Sequence, residues 1–331
     1  MSVDGIFETS ACETRVLRFA GLVSACLLCV LGVLAPAIVP AKAETPTVPA
    51  RVTEIAQGVF VHTGAHELFT PDNAGDISNS GFIIGSEAVA VVDTGGSRAV
   101  GLALKAAIRA RTDLPIKYVI NTHMHPDHVF GNAAFVSDNP EFIGHYKLAN
   151  ALAARKEQYL QANKPLLGDA FEGVEIIPPA RSIKGVEILD LGNRKLRVEA
   201  HATAHTDNDL TVTDEQTATM FMGDLLFSGH VPVVDGSIKG WLALMDRLAA
   251  EKISRVVPGH GPTAMPWPDA LVAQKRYLDG LVSQIRDYIE RGVPLSQAAR
   301  EIGVDEKHAW ALFDDFNARN VSAAFAELEW E

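Results

Sequence analysis

Cysteine is nearly missing from this chain of 331 residues: Cys12, Cys26 and Cys29 are the only three, and all lie near the start. From residue 44 onward no disulfide can staple the fold, and no thiolate can act as nucleophile or metal ligand. Basic blocks are missing too. The formal charge is −12 with no clustered Lys or Arg, which excludes a phosphate backbone as partner. Tandem repeats at solenoid periods are absent. What remains is an ordinary globular composition, 47% hydrophobic and 21% charged, enough for one large domain or two small ones.

Long apolar runs are confined to one place. Arg15 and Arg18 precede "FAGLVSACLLCVLGVLAPAIV", which ends in "PAKA" before Glu44. Basic residues, an apolar stretch and Ala-x-Ala are the pattern of a cleavable secretory signal. We expect residues 1–43 to be that signal, cut near Ala43, giving a periplasmic or secreted protein that is not membrane-embedded. A retained anchor and lipidation at Cys26 are the alternatives. The leader carries Asp4, Glu8 and Glu13 against Arg15, Arg18 and Lys42, so its removal leaves the net charge at −12.

The rest alternates strand and helix patterns. "VTEIAQGVFVHTG" reads as two short strands around Gly58, and residues 64–79 as a long loop. "SGFIIGSEAVAVVDTGG" is a hairpin whose second strand is apolar on both faces, hence central in a sheet. Ser97 caps a helix to about Arg111. "IKYVINT" and "EFIGH" are strands, 146–164 a helix, and 165–181 a Pro- and Gly-rich loop. "KLRVEAHATAH" is strand then loop, and "LTVTDEQTATMFMGD" a hairpin. A helix over 240–251 leads into "SRVVPGHGP". The tail is helical, with stops at Gly292 and Pro294 and a last helix after Asp305. Mixed sheets with helices outside are expected.

One run asks for a chemical explanation. "NTHMHPDHVFGN" crowds His123, His125, Asp127 and His128 after an apolar strand. A solvated turn tolerates any polar residue and needs no three histidines. Zinc takes imidazole nitrogen and carboxylate oxygen at about 2.0–2.2 Å, which requires such convergence. Three more candidates sit at apolar strands: His205 in "ATAHTDND", Asp224 in "MFMGDLLF" and His260 in "RVVPGHGP". Strand ends are where open α/β sheets build sites. Any one of them has a bland explanation as a cap or loop residue; together they point to a metal.

These motifs, in this order, resemble the metallo-β-lactamase superfamily. "THMHPDH" matches its H-x-H-x-D-H motif, "AHTDNDLTV", "FMGDLLF" and "VVPGHGP" its later ones, and "VAVVDTGG" its early strand. The stretch "VHTGAHELFTPDNAGDISNSGFIIG" and the terminal "NVSAAFAELEWE" are similar to the quinoprotein relay system zinc metallohydrolases. The resemblance implies an α/β fold, the metallo-β-lactamase αββα sandwich of two mixed β-sheets with outer helices. It implies a catalytic domain over 44–265 and a C-terminal helical extension over 266–331 packed on it. It implies two Zn²⁺, with His123, His125 and His205 on the first, Asp127, His128 and His260 on the second, and Asp224 bridging; iron or manganese are alternatives. Asp93 would orient a ligand from behind. Asp127 would also be catalytic, and His66 in the long loop would touch substrate.

The function so implied is an exported binuclear-zinc hydrolase of the quinoprotein relay type, in which metal-activated water attacks an ester, thioester, lactone or related bond. Its partners would be a small-molecule substrate and a periplasmic quinoprotein. Aspartate at 224, where β-lactamases of the superfamily generally carry Cys or Ser, disfavours β-lactam turnover. The competing functions are a β-lactamase or lactonase, a single-iron enzyme like the persulfide dioxygenases, and a non-catalytic quinoprotein partner.

Overall fold

The structure is a computed structural model and describes residues 50–331; the leader and its cut near Ala43 lie outside the described residues. Two sheets form. The first has seven strands in sequential order: β1 (Val52–Ala56), β2 (Val59–His62), β3 (Ser80–Ile84), β4 (Val89–Val92), β5 (Ile116–Ile120), β6 (Glu141–His145) and β7 (Arg181–Ile183). The second has six: β8 (Val186–Asp190), β9 (Lys195–Ala200), β10 (Leu210–Asp214), β11 (Thr219–Phe227), β12 (Arg255–His260) and β13 (Met265–Pro266). Both are mixed. β4 to β7 run parallel and β1 to β4 antiparallel, and β11 pairs parallel with β12 while its other neighbour, β10, is antiparallel.

Alternation along the strands sorts side chains between layers. Val59, Val61, Ala90 and Val92 face inward against Val198, Leu210, Val212 and Val257 of the second sheet. Phe60, Phe82, Val89 and Val91 face outward against Leu104 and Ile108 of α1 (Arg98–Arg109). Ser97 caps α1 by accepting from the Val100 N–H. After a single turn, α2 (Pro126–Val129), the helix α3 (Leu148–Leu167) packs Leu148 and Leu152 on Phe130 and Met124. The outer face of the second sheet, Met220, Met222 and Val256, is covered by α4 (Ile238–Ala249), α5 (Val272–Glu290), α6 (Leu295–Glu301) and α7 (Phe313–Leu328). This is the αββα sandwich of two mixed sheets expected from the sequence.

Three local expectations need correction. α3 runs on to Leu167 with Pro165 in its last turn, so the loop expected from 165 starts later. Strands β7 and β8 form within 181–190, where the short, edge-like pattern with Val186 and Ile188 exposed gave no buried-strand signal. The last helix begins at Phe313 and not just after Asp305, because residues 304–309 make a 3₁₀ turn and Leu312 takes a left-handed φ of 57°.

One buried ion pair of the second sheet also reaches the first. Arg194 donates to both oxygens of Asp214, at 2.9 and 2.8 Å, and to the carbonyls of Ile84 and Gln57. Its guanidinium therefore ties the β8–β9 hairpin to the turns of the first sheet.

Candidate metal centre

All the metal-ligand candidates converge at one edge of the sandwich. β5 ends at Ile120 and releases His123 and His125. α2 carries Asp127 and His128. His205 lies between β9 and β10, and β12 ends on His260. Asp224 is not at a strand end, as expected, but inside β11. There the pairing with β12 shifts register around Gly223, which has φ +50°, and turns the carboxylate toward the edge. Glycine is required at 259 as well, since a Cβ there would lie 2.0 Å from Asp224 Oδ1.

Two groups result: His123, His125, His205 and Asp224, and beside them Asp127, His128 and His260, with the candidate ligand atoms of each group within 4.8 Å of one another. His123 Nε2 and His205 Nε2 each lie 3.0 Å from His125 Nδ1. Asp224 Oδ2 is 3.6 and 3.5 Å from His123 and His205, and its Oδ1 is 3.1 Å from His128 Nε2. His260 Nε2 is 3.2 Å from Asp127 Oδ2 and 3.5 Å from Asp224 Oδ2. A tetrahedron with the arms zinc prefers has edges of roughly 3.3 Å, the scale of these contacts.

The outward nitrogens show why the inward ones can be ligands. His128 Nδ1 donates to Asp93 Oδ2 at 2.8 Å, His205 Nδ1 to the Val233 carbonyl at 2.7 Å and His260 Nδ1 to the Ile77 carbonyl at 2.8 Å. His125 Nε2 meets Asp235 Oδ2 at 3.1 Å. His123 Nδ1 lies 3.1 Å from Thr122 Oγ1, which itself donates to Asp93. With each proton held outside, each ring aims a lone pair inward. Lone pairs 3.0 Å apart repel unless a cation sits between them. Two buried atoms in the cluster, His128 Nε2 and Asp224 Oδ1, have no hydrogen-bond partner. The donor set therefore fits divalent metal.

Burial opposes ionisation of Asp224, but His128, His260 and His123 around it hold its carboxyl well below the usual range. Burial pushes His205 down to about 3. His128 and His260 go the other way: against burial, Asp224 and Asp127 raise His128 well above its ordinary value and His260 to about 9. The buried carboxylates therefore demand positive charge at these two rings, which a divalent metal would supply in place of their protons.

Asp93 has a left-handed φ of 55°, and its side chain accounts for it. Oδ1 accepts from the Thr122 N–H at 2.8 Å, while Oδ2 takes Thr122 Oγ1 and His128. Asp93→Asn removes the acceptor that fixes His128. We expect metal affinity to fall about 10–100-fold with the fold intact, measured by competition with a chromogenic chelator.

Other expectations fared differently. His66 does not line the cleft above the cluster; its ring packs against His230 and Gly229, while its neighbours Glu67, Leu68 and Phe69 do line it. His230 lines the cleft, its ring 4.9 Å from that of His260. His145 and His201 are structural: His145 Nε2 meets the His201 carbonyl, and His201 lies between Thr211 and Arg247. Sequence reading missed Asn79, whose amide donates to the Pro258 and Gly261 carbonyls flanking His260. It also missed the contribution of α7. Asn320 accepts from the Val234 N–H and donates to the Pro232 carbonyl, Glu327 accepts from Ser237 and Ile238, and Arg319 donates to Asp235. α7 thus holds the segment that stands behind both His125 and His205.

An αββα sandwich with this paired His/Asp cluster at its edge is a fold that carries a candidate metal centre. The sequence model of the metallo-beta-lactamase superfamily matches residues 73–260, and the chain belongs to that superfamily. Among solved structures it is similar to a metallo-beta-lactamase from Pontibacter korlensis, with TM-score 0.57 and 20% identity over 70% of this chain and 99% of that one. It is similar also to a double mutant of the sec-alkyl sulfatase PisA1, with TM-score 0.64 and 15% identity over 85% of this chain, which spans 51% of the sulfatase. A linear primary-alkylsulfatase of Pseudomonas sp. (strain ATCC 19151) is 39% identical over 62 residues, 19% of this chain but only 12% of that relative. The matched family region ends at His260, before α5 to α7.

Proposed function

We propose that this protein is an exported, binuclear-zinc hydrolase of the quinoprotein relay type, cleaving an ester, thioester, lactone or related bond of a small molecule. The observation that carries the two-metal reading is Asp224. Its carboxylate is within 3.6 Å of nitrogens from both ligand groups, so it can bridge them. His123, His125 and His205 would hold one metal and Asp127, His128 and His260 the other. Bound metal supplies Lewis acidity and lowers the pKa of water to near 7.

The chain's own groups do the rest. Asp127 Oδ2 faces His128 and His260, which leaves Oδ1 to orient a water and take its proton. Asp235 and Asp93 fix the rings of His125 and His128. The cleft above, about 460 Å³, is walled by Leu68, Phe69, Leu166, Phe227 and Phe316, which exclude water and suit an apolar substrate body. The relay-type assignment rests on the sequence stretches quoted above, and with it go export after Ala43 and a periplasmic quinoprotein partner. Among the described residues no helix is long and apolar enough to cross a membrane.

A second reading, sulfate-ester hydrolysis, is favoured by the two alkylsulfatase likenesses and by the apolar walls. The test is a panel of thioester, lactone, cephalosporin and alkyl sulfate substrates, run on the zinc-loaded protein and after dialysis against a chelator. We expect turnover of a thioester or lactone, loss on chelation, and recovery with zinc. Turnover of alkyl sulfate alone would select the second reading. Activity that survives complete chelation would contradict both.

A further inference from the structure

Beside the cleft, on the His125 side, lies a second compartment of about 460 Å³. It shares His125, Pro126, Asn163 and Arg319 with the first, so the two adjoin. Its character is different. Arg155, Tyr159 and Asn163 project from one face of α3 at four-residue spacing, and Arg319 enters from α7. Nothing in the reading above uses Arg155.

Resting on the hydrolase reading, we propose that this compartment takes the oxyanion of an amphiphilic substrate, whose apolar chain and scissile bond lie in the first compartment, over the cluster residues that line it. Arg155 is half-buried, yet it makes no hydrogen bond or ion pair with another described residue. A guanidinium with no bonded counter-charge is open to a ligand, and its planar fork matches carboxylate and sulfonate oxygens. Arg319 has one recorded bond, to Asp235 Oδ1 at 3.0 Å, and keeps further N–H groups for a ligand. Asp235 is itself engaged by His125 on its other oxygen. Asp207 feels the charge of Arg155 but pairs with Lys147 at 3.5 Å. Two arginines against one carboxylate leave the compartment positive. Tyr159 adds a neutral donor, because burial raises its hydroxyl well above the ordinary value.

The chemistry shared by the candidate ligands is a terminal oxyanion on an alkyl chain. The probes are octanoate, octanesulfonate and octanol, titrated calorimetrically into the zinc-loaded protein and into Arg155→Gln and Arg155→Lys. We expect at least one anion to bind more tightly than octanol, and Arg155→Gln to weaken that anion about tenfold, the scale of one charge-assisted hydrogen bond. Arg155→Lys should recover part of the loss, and octanol binding should not move. A loss restricted to octanoate or to octanesulfonate identifies the oxyanion. Equal affinity for all three probes, or an equal effect of Arg155→Gln on all three, overturns the proposal. These are binding measurements: their failure leaves hydrolysis on the panel untouched, and a silent panel leaves an Arg155-dependent anion site standing.

Discussion

Asp224→Ala is expected to leave a folded protein that binds one metal at most and has lost hydrolysis by more than about 100-fold, since even a group behind a ligand can cost that much. The residue is 4% exposed and lies on a strand whose neighbours are buried, so its backbone is held independently of the carboxylate. Its two oxygens are shared: Oδ2 faces His123, His205 and His260, and Oδ1 faces His128. On the bridging reading, truncation removes one ligand from each group at once, leaving His123, His125 and His205 on one side and Asp127, His128 and His260 on the other. Metal content by plasma mass spectrometry and turnover on the best panel substrate, measured on the same preparation, check this. Wild-type turnover in the variant would remove Asp224 from the chemistry.

Arg194→Ala should be the most damaging substitution away from the cleft. The pair with Asp214 is almost fully buried, at 5% and 0% exposure. Removing the cation strands a buried carboxylate and frees the carbonyls of Ile84 and Gln57. Breaking a buried pair from one side typically costs about 3–5 kcal/mol. For a domain of this size that lowers Tm by roughly 5–8 °C, readable by calorimetry. Replacing both partners together with Arg194→Met and Asp214→Leu should cost less than Arg194→Ala alone, because no charge is left unpaired. If the single and double variants melt alike, the pair is not the tie described here.

Much of this was legible beforehand for a physical reason. The ligand motifs are local: His123 to His128 sit in six positions, and each later candidate is next to or within an apolar strand. The apolar runs of the strands and the spacing of the helices are local too: β2 and β4 are buried throughout. What escaped was long-range or special. The bulge at Gly223 depends on the backbone of β12 and on Thr122, whose side chain a Cβ there would strike. Asp235 is one acid among many in the sequence, and only the fold sets it behind His125. The part played by α7 rests on pairs such as Asn320 with Val234 and Glu327 with Ser237, more than eighty residues apart. His66 drew attention because histidine is chemically versatile, whereas the loop presents Leu68 and Phe69 to the cleft.

The most direct test is anomalous diffraction from crystals of the zinc-loaded protein, collected on both sides of the zinc absorption edge. Two peaks are expected, one among His123, His125 and His205 and one among Asp127, His128 and His260, with Asp224 between them. A single peak, or zinc bound anywhere other than among these residues, would contradict a binuclear centre.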